Sequence, residues 1–234
     1  MTPPNLPAQA ALLLDLDGTL IELAATPDAV VVPPGLPALL CRVRDRRGGA
    51  LAIVSGRPVA AVEALLPGVA TAVAGEHGGA IRFAPGAALV RIALPDVPAA
   101  WAEAGERAVA QHPGALFERK PRGFALHYRL APAARDALGE AARAIVGDAT
   151  SHRVMAGHMV WEVRPSGADK GTAVRALMAR APFAGRVPVY IGDDVTDEDG
   201  IAAAIALGGL GLRVAETFGS PAGVRAWLAA SVAR

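Results

Sequence analysis

Two kinds of hydrophobic pattern occur along the chain, and the first predicts a buried parallel sheet. Several short runs are almost entirely apolar and end at glycine or polar residues, as the buried strands of parallel sheets do. These runs cover residues 10–14, 50–54, 69–74, 187–191 and 209–214. Periodic apolar positions with Gly or Pro at their ends predict helices over residues 36–46, 58–66, 169–180, 197–206 and 221–233. Strands and helices that alternate in this way are typical of an α/β fold.

The second pattern lies in the middle of the chain and predicts a separate domain. Residues 116–120 and 124–129 alternate between apolar and polar, as strands with one solvated face do. The other elements predicted in this block are strands over 151–156 and 159–163 and helices over 99–111 and 132–146. The sequence therefore predicts an α/β protein whose core is a doubly wound, Rossmann-like parallel sheet. We expect residues 1–97 and 166–234 to form that core, with an inserted α/β domain over 98–165.

The amino-acid composition limits the kinds of partner that the protein is expected to bind. The 23 basic and 22 acidic residues give a formal net charge of +1, which offers no electrostatic reason to expect nucleic acid or an anionic membrane. Cys41 is the single cysteine, so an intrachain disulfide is excluded and no zinc cluster is indicated. Residues 1–9 lack Lys and Arg and precede only a short apolar run, so we expect neither a signal peptide nor a membrane span. The expectation is a cytoplasmic protein, and a monomer is one option.

The strongest chemical feature is a pair of carboxylates directly after the first predicted strand. Asp15 and Asp17 are two residues apart, so in an extended chain their side chains point the same way. The carboxyl ends of the strands are where open α/β sheets bind ligands. Two neighbouring carboxylates favour a cation that prefers oxygen ligands, such as Mg²⁺. The alternative is a strand followed by an ordinary Asp-Gly turn.

A second acidic stretch follows the strand predicted over 187–191. Five of the eight residues in 192–199 are acidic. Acids at the start of a helix favour its dipole, which accounts for residues 197–199 without any ligand. That explanation does not account for Asp193 and Asp194. Asp193 is therefore predicted to bind metal, whereas for Asp194 the roles of metal ligand and turn residue are both open.

The order of these motifs resembles the haloacid dehalogenase superfamily of aspartate-based phosphatases. Without the resemblance, Ser55 is interpreted as a turn residue and Lys170 as a solvated surface residue. The resemblance implies that both contact phosphate. It also implies that Asp15 attacks phosphorus and that Asp17 is the general acid and base. Mg²⁺ would be held by Asp15, the Asp17 carbonyl and Asp193. Two further acids would support the metal ligands from outside, Asp194 and Asp197.

The finer pattern resembles the trehalose-6-phosphate phosphatase family. The shared motifs are Ser55-Gly56-Arg57, Gly75-Glu76-His77-Gly78, His127-Tyr128-Arg129, Trp161-Glu162-Val163-Arg164-Pro165 and Asp169-Lys170-Gly171. The resemblance implies Mg²⁺-dependent hydrolysis of trehalose 6-phosphate in trehalose biosynthesis, with the inserted domain as a cap that recognises the sugar. Substrate contacts are implied for Ser55, Gly56, Arg57, Glu118, Lys120, Glu162 and His158.

The chain departs from the family pattern at two positions, and two other functions remain alternatives. Arg119 takes the place of the usual Asp between Glu118 and Lys120, and His158 stands where many relatives carry Lys. His158 also fits a plain hairpin turn. A phosphatase for another sugar phosphate, of the sucrose or mannosylglycerate type, is the nearest alternative. A phospho-acceptor signalling domain is remote, because such domains have neither an acid two residues after the phosphorylated Asp nor an inserted cap.

Overall fold

The computed structural model describes residues 3–233, except for the side chain of Pro27. The strands are β1 (Ala10–Leu14), β2 (Leu51–Val54), β3 (Ala72–Gly75), β4 (Ala80–Arg82), β5 (Val90–Arg91), β6 (Leu116–Lys120), β7 (Gly123–His127), β8 (His152–Gly157), β9 (Val160–Pro165), β10 (Val187–Gly192) and β11 (Leu210–Arg213). The α-helices are α1 (Leu36–Arg46), α2 (Val59–Leu65), α3 (Ala99–Ala110), α4 (Arg135–Val146), α5 (Lys170–Met178), α6 (Glu198–Ala206), α7 (Val214–Thr217) and α8 (Pro221–Val232). Short 3₁₀ turns cover Pro27–Ala29, Glu76–Gly78, Pro132–Ala134 and Val195–Asp197.

The chain divides into two compact units, and the larger one contains residues up to Ile92 and from Asp169 onward. Its sheet has seven strands in the order β11-β10-β1-β2-β3-β4-β5. The first five of these run parallel, and the last two are antiparallel additions. β1 is buried along its whole length between β10 and β2. Because parallel strands end at the same edge of a sheet, the residues after β1, β2 and β10 gather there.

The core packs on both faces of this sheet. Leu12 and Leu14 of β1 join one buried cluster, whereas Leu13 joins another that includes Tyr190. This alternation follows from the two-residue period of a strand, and burial on both faces requires the continuous apolar runs that the sequence contains. The predicted doubly wound α/β core is confirmed.

The second unit, Ala93–Ala168, is an antiparallel sheet with helices on one face. Its strand order is β6-β7-β9-β8, and apolar side chains such as Phe124, Leu126 and Val163 pack with residues of α3 and α4. β7 differs from the predicted alternation, because residues 123–126 are all buried. Ala125 lies on the other face between Glu118 of β6 and Glu162 of β9, so longer side chains flank it.

Several element ends differ from the predicted ones for local reasons. β3 begins three residues later than predicted, because the amide N–H groups of Val69 and Ala70 close turns onto Leu66 and Gly68. The helix predicted from residue 132 begins as a 3₁₀ turn and becomes α-helical at Arg135. None of the helices within residues 3–233 has both the length and the apolar character that crossing a membrane requires.

Candidate active site

Asp15 is buried at the centre of the carboxyl edge of the core sheet. It directly follows β1, and its amide donates a hydrogen bond to the carbonyl of Ile191, which extends the pairing with β10. The chain then turns sharply, since the carbonyl of Leu16 accepts from three successive amides, those of residues 19–21. Gly18 has a φ of +78° in this turn, a conformation that favours glycine. The Asp-x-Asp-Gly sequence thus fixes the direction of both acids.

Lys170 ties the nucleophile candidate to the acidic loop. Its ammonium group donates to Asp15 Oδ1 and to Asp197 Oδ1, each at 2.7 Å, and the side chain is only 3% exposed. Burial alone would lower the pKa of Lys170, but the charges of the two carboxylates raise it above its ordinary value. Lys170 is the first residue of α5, and its predecessor Asp169 caps that helix by accepting from the Thr172 amide.

Asp197 holds the acidic loop in shape. Its Oδ1 also accepts from the buried hydroxyl of Tyr190 at 2.6 Å, and its Oδ2 accepts from the amides of Asp193 and Asp194 at 3.2 and 3.1 Å. Both oxygens of Asp197 are therefore fully used by donors of the protein itself. Tyr190 was not among the predicted site residues, although a fully buried tyrosine near the end of a strand needs a partner for its hydroxyl. Asp194 has a local role, because its side chain accepts from the Val195 amide and forms a capping box with Asp197.

Three acids form a cluster that can hold a cation. Carboxylate oxygens of Asp15, Asp193 and Asp197 all lie within 4.8 Å of one another. Burial, together with the negative charge of Asp197, raises the pKa of Asp15 well above its usual range and that of Asp193 to about 7. Gly18 leaves room for this cluster, since a Cβ there would collide with the Asp193 carboxylate. Asp197 already accepts four hydrogen bonds, but the carboxylates of Asp15 and Asp193 offer oxygen ligands of the kind that a hard divalent cation prefers.

Ser55 and Arg57 extend the site after β2. The Ser55 amide continues the sheet by donating to Ala74, and its hydroxyl accepts from the Arg57 amide at 3.1 Å. Gly56 is needed for close packing, because a Cβ there would collide with the ring of His77. The guanidinium of Arg57 donates to both oxygens of Asp17, at 2.7 and 2.8 Å. The structure therefore brings Asp17 and Arg57 together as a pair.

The residues predicted to bind sugar lie on the polar face of the second sheet. Lys120 donates to Glu162 Oε1 at 2.6 Å, and Glu118 Oε2 lies 2.8 Å from His127 Nε2. Burial would lower the pKa of Lys120, but Glu162 and Glu118 raise it. His127 also belongs to this polar group, although the sequence pointed to it only as part of a family motif. His158 is exposed in the turn between β8 and β9, where its carbonyl accepts from Arg129.

Comparison with solved structures shows that the fold is that of haloacid dehalogenase-like hydrolases. Among solved structures, the C-terminal domain of Candida albicans trehalose-6-phosphate phosphatase aligns with a TM-score of 0.81 and 21% identity, covering 97% of this chain and 92% of that one. A haloacid dehalogenase-like hydrolase from B. subtilis aligns with a TM-score of 0.56 and 16% identity, covering 82% and 86%. At these identities the likeness is one of fold.

Sequence comparison identifies the family. The trehalose-phosphatase family profile matches residues 13–206. A probable trehalose-phosphate phosphatase of Sinorhizobium fredii is 42% identical over 205 residues, which are 87% of this chain and 77% of the relative. Trehalose-6-phosphate phosphatase of Escherichia coli is 45% identical over 106 residues, 45% of this chain and only 40% of that protein. The chain belongs to the trehalose-phosphatase family.

Proposed function

We propose that the chain hydrolyses trehalose 6-phosphate to trehalose and inorganic phosphate through a phosphorylated Asp15. An Asp15 oxygen forms a bond to phosphorus while the bond from phosphorus to the sugar oxygen breaks, and Asp17 gives that oxygen a proton. A water molecule then attacks the phosphorus of the aspartyl phosphate and loses a proton to Asp17, which frees Asp15. A carboxylate nucleophile divides one difficult displacement into two easier ones, and one carboxyl group serves as acid and then as base.

The observation that carries this proposal is the buried contact between Asp15 and Lys170 at the edge of the central strand. Lys170 Nζ lies 2.7 Å from Asp15 Oδ1, so a positive charge stands beside the carboxylate that would attack. Such a charge favours an approaching phosphate and stabilises the charge of the transferred group. Ser55 at the end of β2 supplies a hydroxyl at the same edge of the sheet for a phosphoryl oxygen.

We propose Mg²⁺ as the cation of the acidic cluster, held by Asp15, Asp193 and the backbone carbonyl of Asp17. Support comes from the three clustered carboxylates and from the raised pKa of Asp193, which is caused by burial first and by the negative charge of Asp197 second. When bound, Mg²⁺ neutralises charge on the transferred group. Asp197 would act from outside the coordination, because its oxygens already accept hydrogen bonds from Lys170, Tyr190 and two amides.

For the sugar, we propose that Glu118, Lys120 and Glu162 recognise the glucose farther from the phosphate. Two carboxylates and an ammonium group on one sheet face supply acceptors and donors for hydroxyl groups. The family membership and the relatives' names support trehalose 6-phosphate over other sugar phosphates.

A substrate panel tests the proposal. Phosphate release would be measured with trehalose 6-phosphate, sucrose 6-phosphate, a mannosylglycerate phosphate and glucose 6-phosphate at equal concentrations with Mg²⁺. We expect kcat/KM for trehalose 6-phosphate to exceed the others by at least about a hundredfold, which corresponds to about 2.7 kcal/mol of transition-state discrimination. A higher value for another member would replace the proposed substrate, and no release from any member would refute the phosphatase assignment.

A further inference from the structure

The pair formed by Arg57 and Asp17 has the geometry of a two-point clamp. Arg57 Nε and Nη2 donate to Asp17 Oδ2 and Oδ1 at 2.7 and 2.8 Å, so the two planar groups meet side by side. The pairing joins residues 40 positions apart, and both side chains are largely shielded, with 18% and 26% exposure. Bidentate pairs of this kind fix orientation as well as distance.

The backbone of Arg57 is held firmly enough for this purpose. Its amide donates to Ser55 Oγ, and its carbonyl accepts from the Glu76 amide at 2.9 Å. A Cβ on Gly75 would collide with the same carbonyl, so β3 and the turn after β2 pack closely there. Arg57 therefore projects from a turn that two neighbouring strands fix, and not from a loose loop.

Asp17 needs such support more than Asp15 does. Asp15 is held by Lys170 deep in the core, whereas Asp17 lies in the turn after β1 with about a quarter of its side chain exposed. The last torsion of an aspartate is broad, so an unsupported carboxyl group would rotate freely. A proton donor has to stay within hydrogen-bond reach of the leaving oxygen, and an error of about 1 Å in placement costs about a hundredfold in rate.

We infer that Arg57 is a positioning residue for the proton transfer by Asp17, rather than one of the substrate contacts that the sequence suggests. This inference rests on the proposed function, since it assigns Asp17 the role of acid. Arg57 acts by fixing the orientation of the Asp17 carboxyl group, from which the leaving sugar oxygen takes its proton. Lysine cannot replace it, because an ammonium group carries the charge without the planar fork.

Leaving groups of different quality test this role. The sugar oxygen of trehalose 6-phosphate is a poor leaving group that needs a proton, whereas p-nitrophenolate leaves without one. For Arg57→Ala and Arg57→Lys we expect kcat/KM for trehalose 6-phosphate to fall by about a hundredfold, but that for p-nitrophenyl phosphate by less than about threefold. Arg57→Lys keeps the positive charge, so it remains informative if Arg57→Ala folds poorly. Arg213→Ala, which removes an equally bidentate pair with Glu198 at the surface, should leave both values unchanged.

A double substitution distinguishes whether Arg57 acts through Asp17 or contacts the substrate directly. In an Asp17→Asn background, adding Arg57→Ala should lower kcat/KM for trehalose 6-phosphate by less than about threefold, because the residue it orients is already inactive. Equal losses on both esters in the single variant, a change confined to KM, no loss at all, or a full further loss in the double variant would each overturn the inference. If the wild type hydrolyses neither ester, the proposed function fails and the inference with it. If the wild type hydrolyses both, only the inference is at stake.

Discussion

Lys170 is the residue whose removal should harm both stability and activity. It is fully buried between Asp15 and Asp197, and an unpaired buried charge is expensive. We expect Lys170→Met to lower the free energy of unfolding by about 3 kcal/mol, the usual cost of breaking a buried pair. Phosphate release should also fall by at least about a hundredfold.

Lys120→Met is the matched control for this measurement, since Lys120 is the only other lysine and forms a similar ion pair at 2.6 Å. Lys120 is more exposed than Lys170, with 20% against 3% of the side chain accessible, so its loss should cost less stability. Urea unfolding of both variants provides the comparison. An equal or larger loss for Lys120→Met would contradict the role given to the buried cluster.

Glu118 predicts a pH dependence of stability. Burial alone would raise its pKa, but the hydrogen bond with His127 and the charge of Lys120 lower it below the ordinary 4.5. A carboxyl group whose pKa is lower in the folded protein stabilises the fold above its unfolded pKa. That contribution is lost as the pH falls through the folded value.

Glu118→Gln should therefore flatten the loss of thermal stability between about pH 5.5 and about pH 3.5. Glu106→Gln is the control, because Glu106 pairs with Arg119 on the surface with about half of each side chain exposed. Melting temperatures of wild type and both variants, measured across this pH range, test the prediction. Parallel curves for wild type and Glu118→Gln would show that the contact with His127 does not stabilise the fold.

At the scale of elements, the turn after β1 requires a residue without a Cβ at position 18, and alanine substitutions can test this requirement. Gly18 and Gly68 share a φ of +78°, but a Cβ meets Asp193 at Gly18 and open space at Gly68. Both alanine variants should lose about 1 kcal/mol from the left-handed backbone conformation.

Only Gly18→Ala should also displace Asp193, lower the affinity for Mg²⁺ and reduce phosphate release. Calorimetric titration of Mg²⁺ into each variant measures the difference without relying on turnover. Equal Mg²⁺ affinity in the two variants would show that Gly18 is present for its backbone conformation alone.

Features within one element could be predicted from the sequence, whereas contacts that depend on how elements pair could not. The apolar run of β1 was sufficient to put Asp15 at the carboxyl edge of the sheet, because a buried strand admits few polar residues. Asp17 lies in the turn that follows, so the period of the strand does not determine its pairing with Arg57. The pairing of His127 with Glu118 depends on the register between β6 and β7, which the alternation of each strand alone does not determine. The contact between Tyr190 and Asp197 needs the 3₁₀ turn at Val195–Asp197, which brings that carboxylate back over the strand.

At the scale of the whole molecule, the two units divide the work proposed here. The larger unit contains the residues proposed for phosphoryl transfer, and the inserted unit contains Glu118, Lys120 and Glu162. If the inserted unit recognises only the sugar, Glu162→Gln should lower kcat/KM for trehalose 6-phosphate by about tenfold to a hundredfold, the value of one charged hydrogen bond. The value for p-nitrophenyl phosphate should change little.

Glu106→Gln in the same unit is the control and should affect neither substrate. Steady-state kinetics with both esters gives the comparison. Equal losses on both substrates for Glu162→Gln would indicate a role in the fold of its unit, and an unchanged value for trehalose 6-phosphate would remove Glu162 from sugar recognition.

The proposed mechanism requires Asp15 to attack phosphorus at a site that holds a divalent cation. Its most direct test is phosphate release from trehalose 6-phosphate by wild type and by Asp15→Asn, each with Mg²⁺ and after exhaustive chelation. We expect release only from the wild type with Mg²⁺, with recovery when Mg²⁺ is restored after chelation. The same circular dichroism for both proteins would show that the variant is folded. Release by folded Asp15→Asn within about tenfold of wild type, or full activity of the wild type after chelation, would contradict the account.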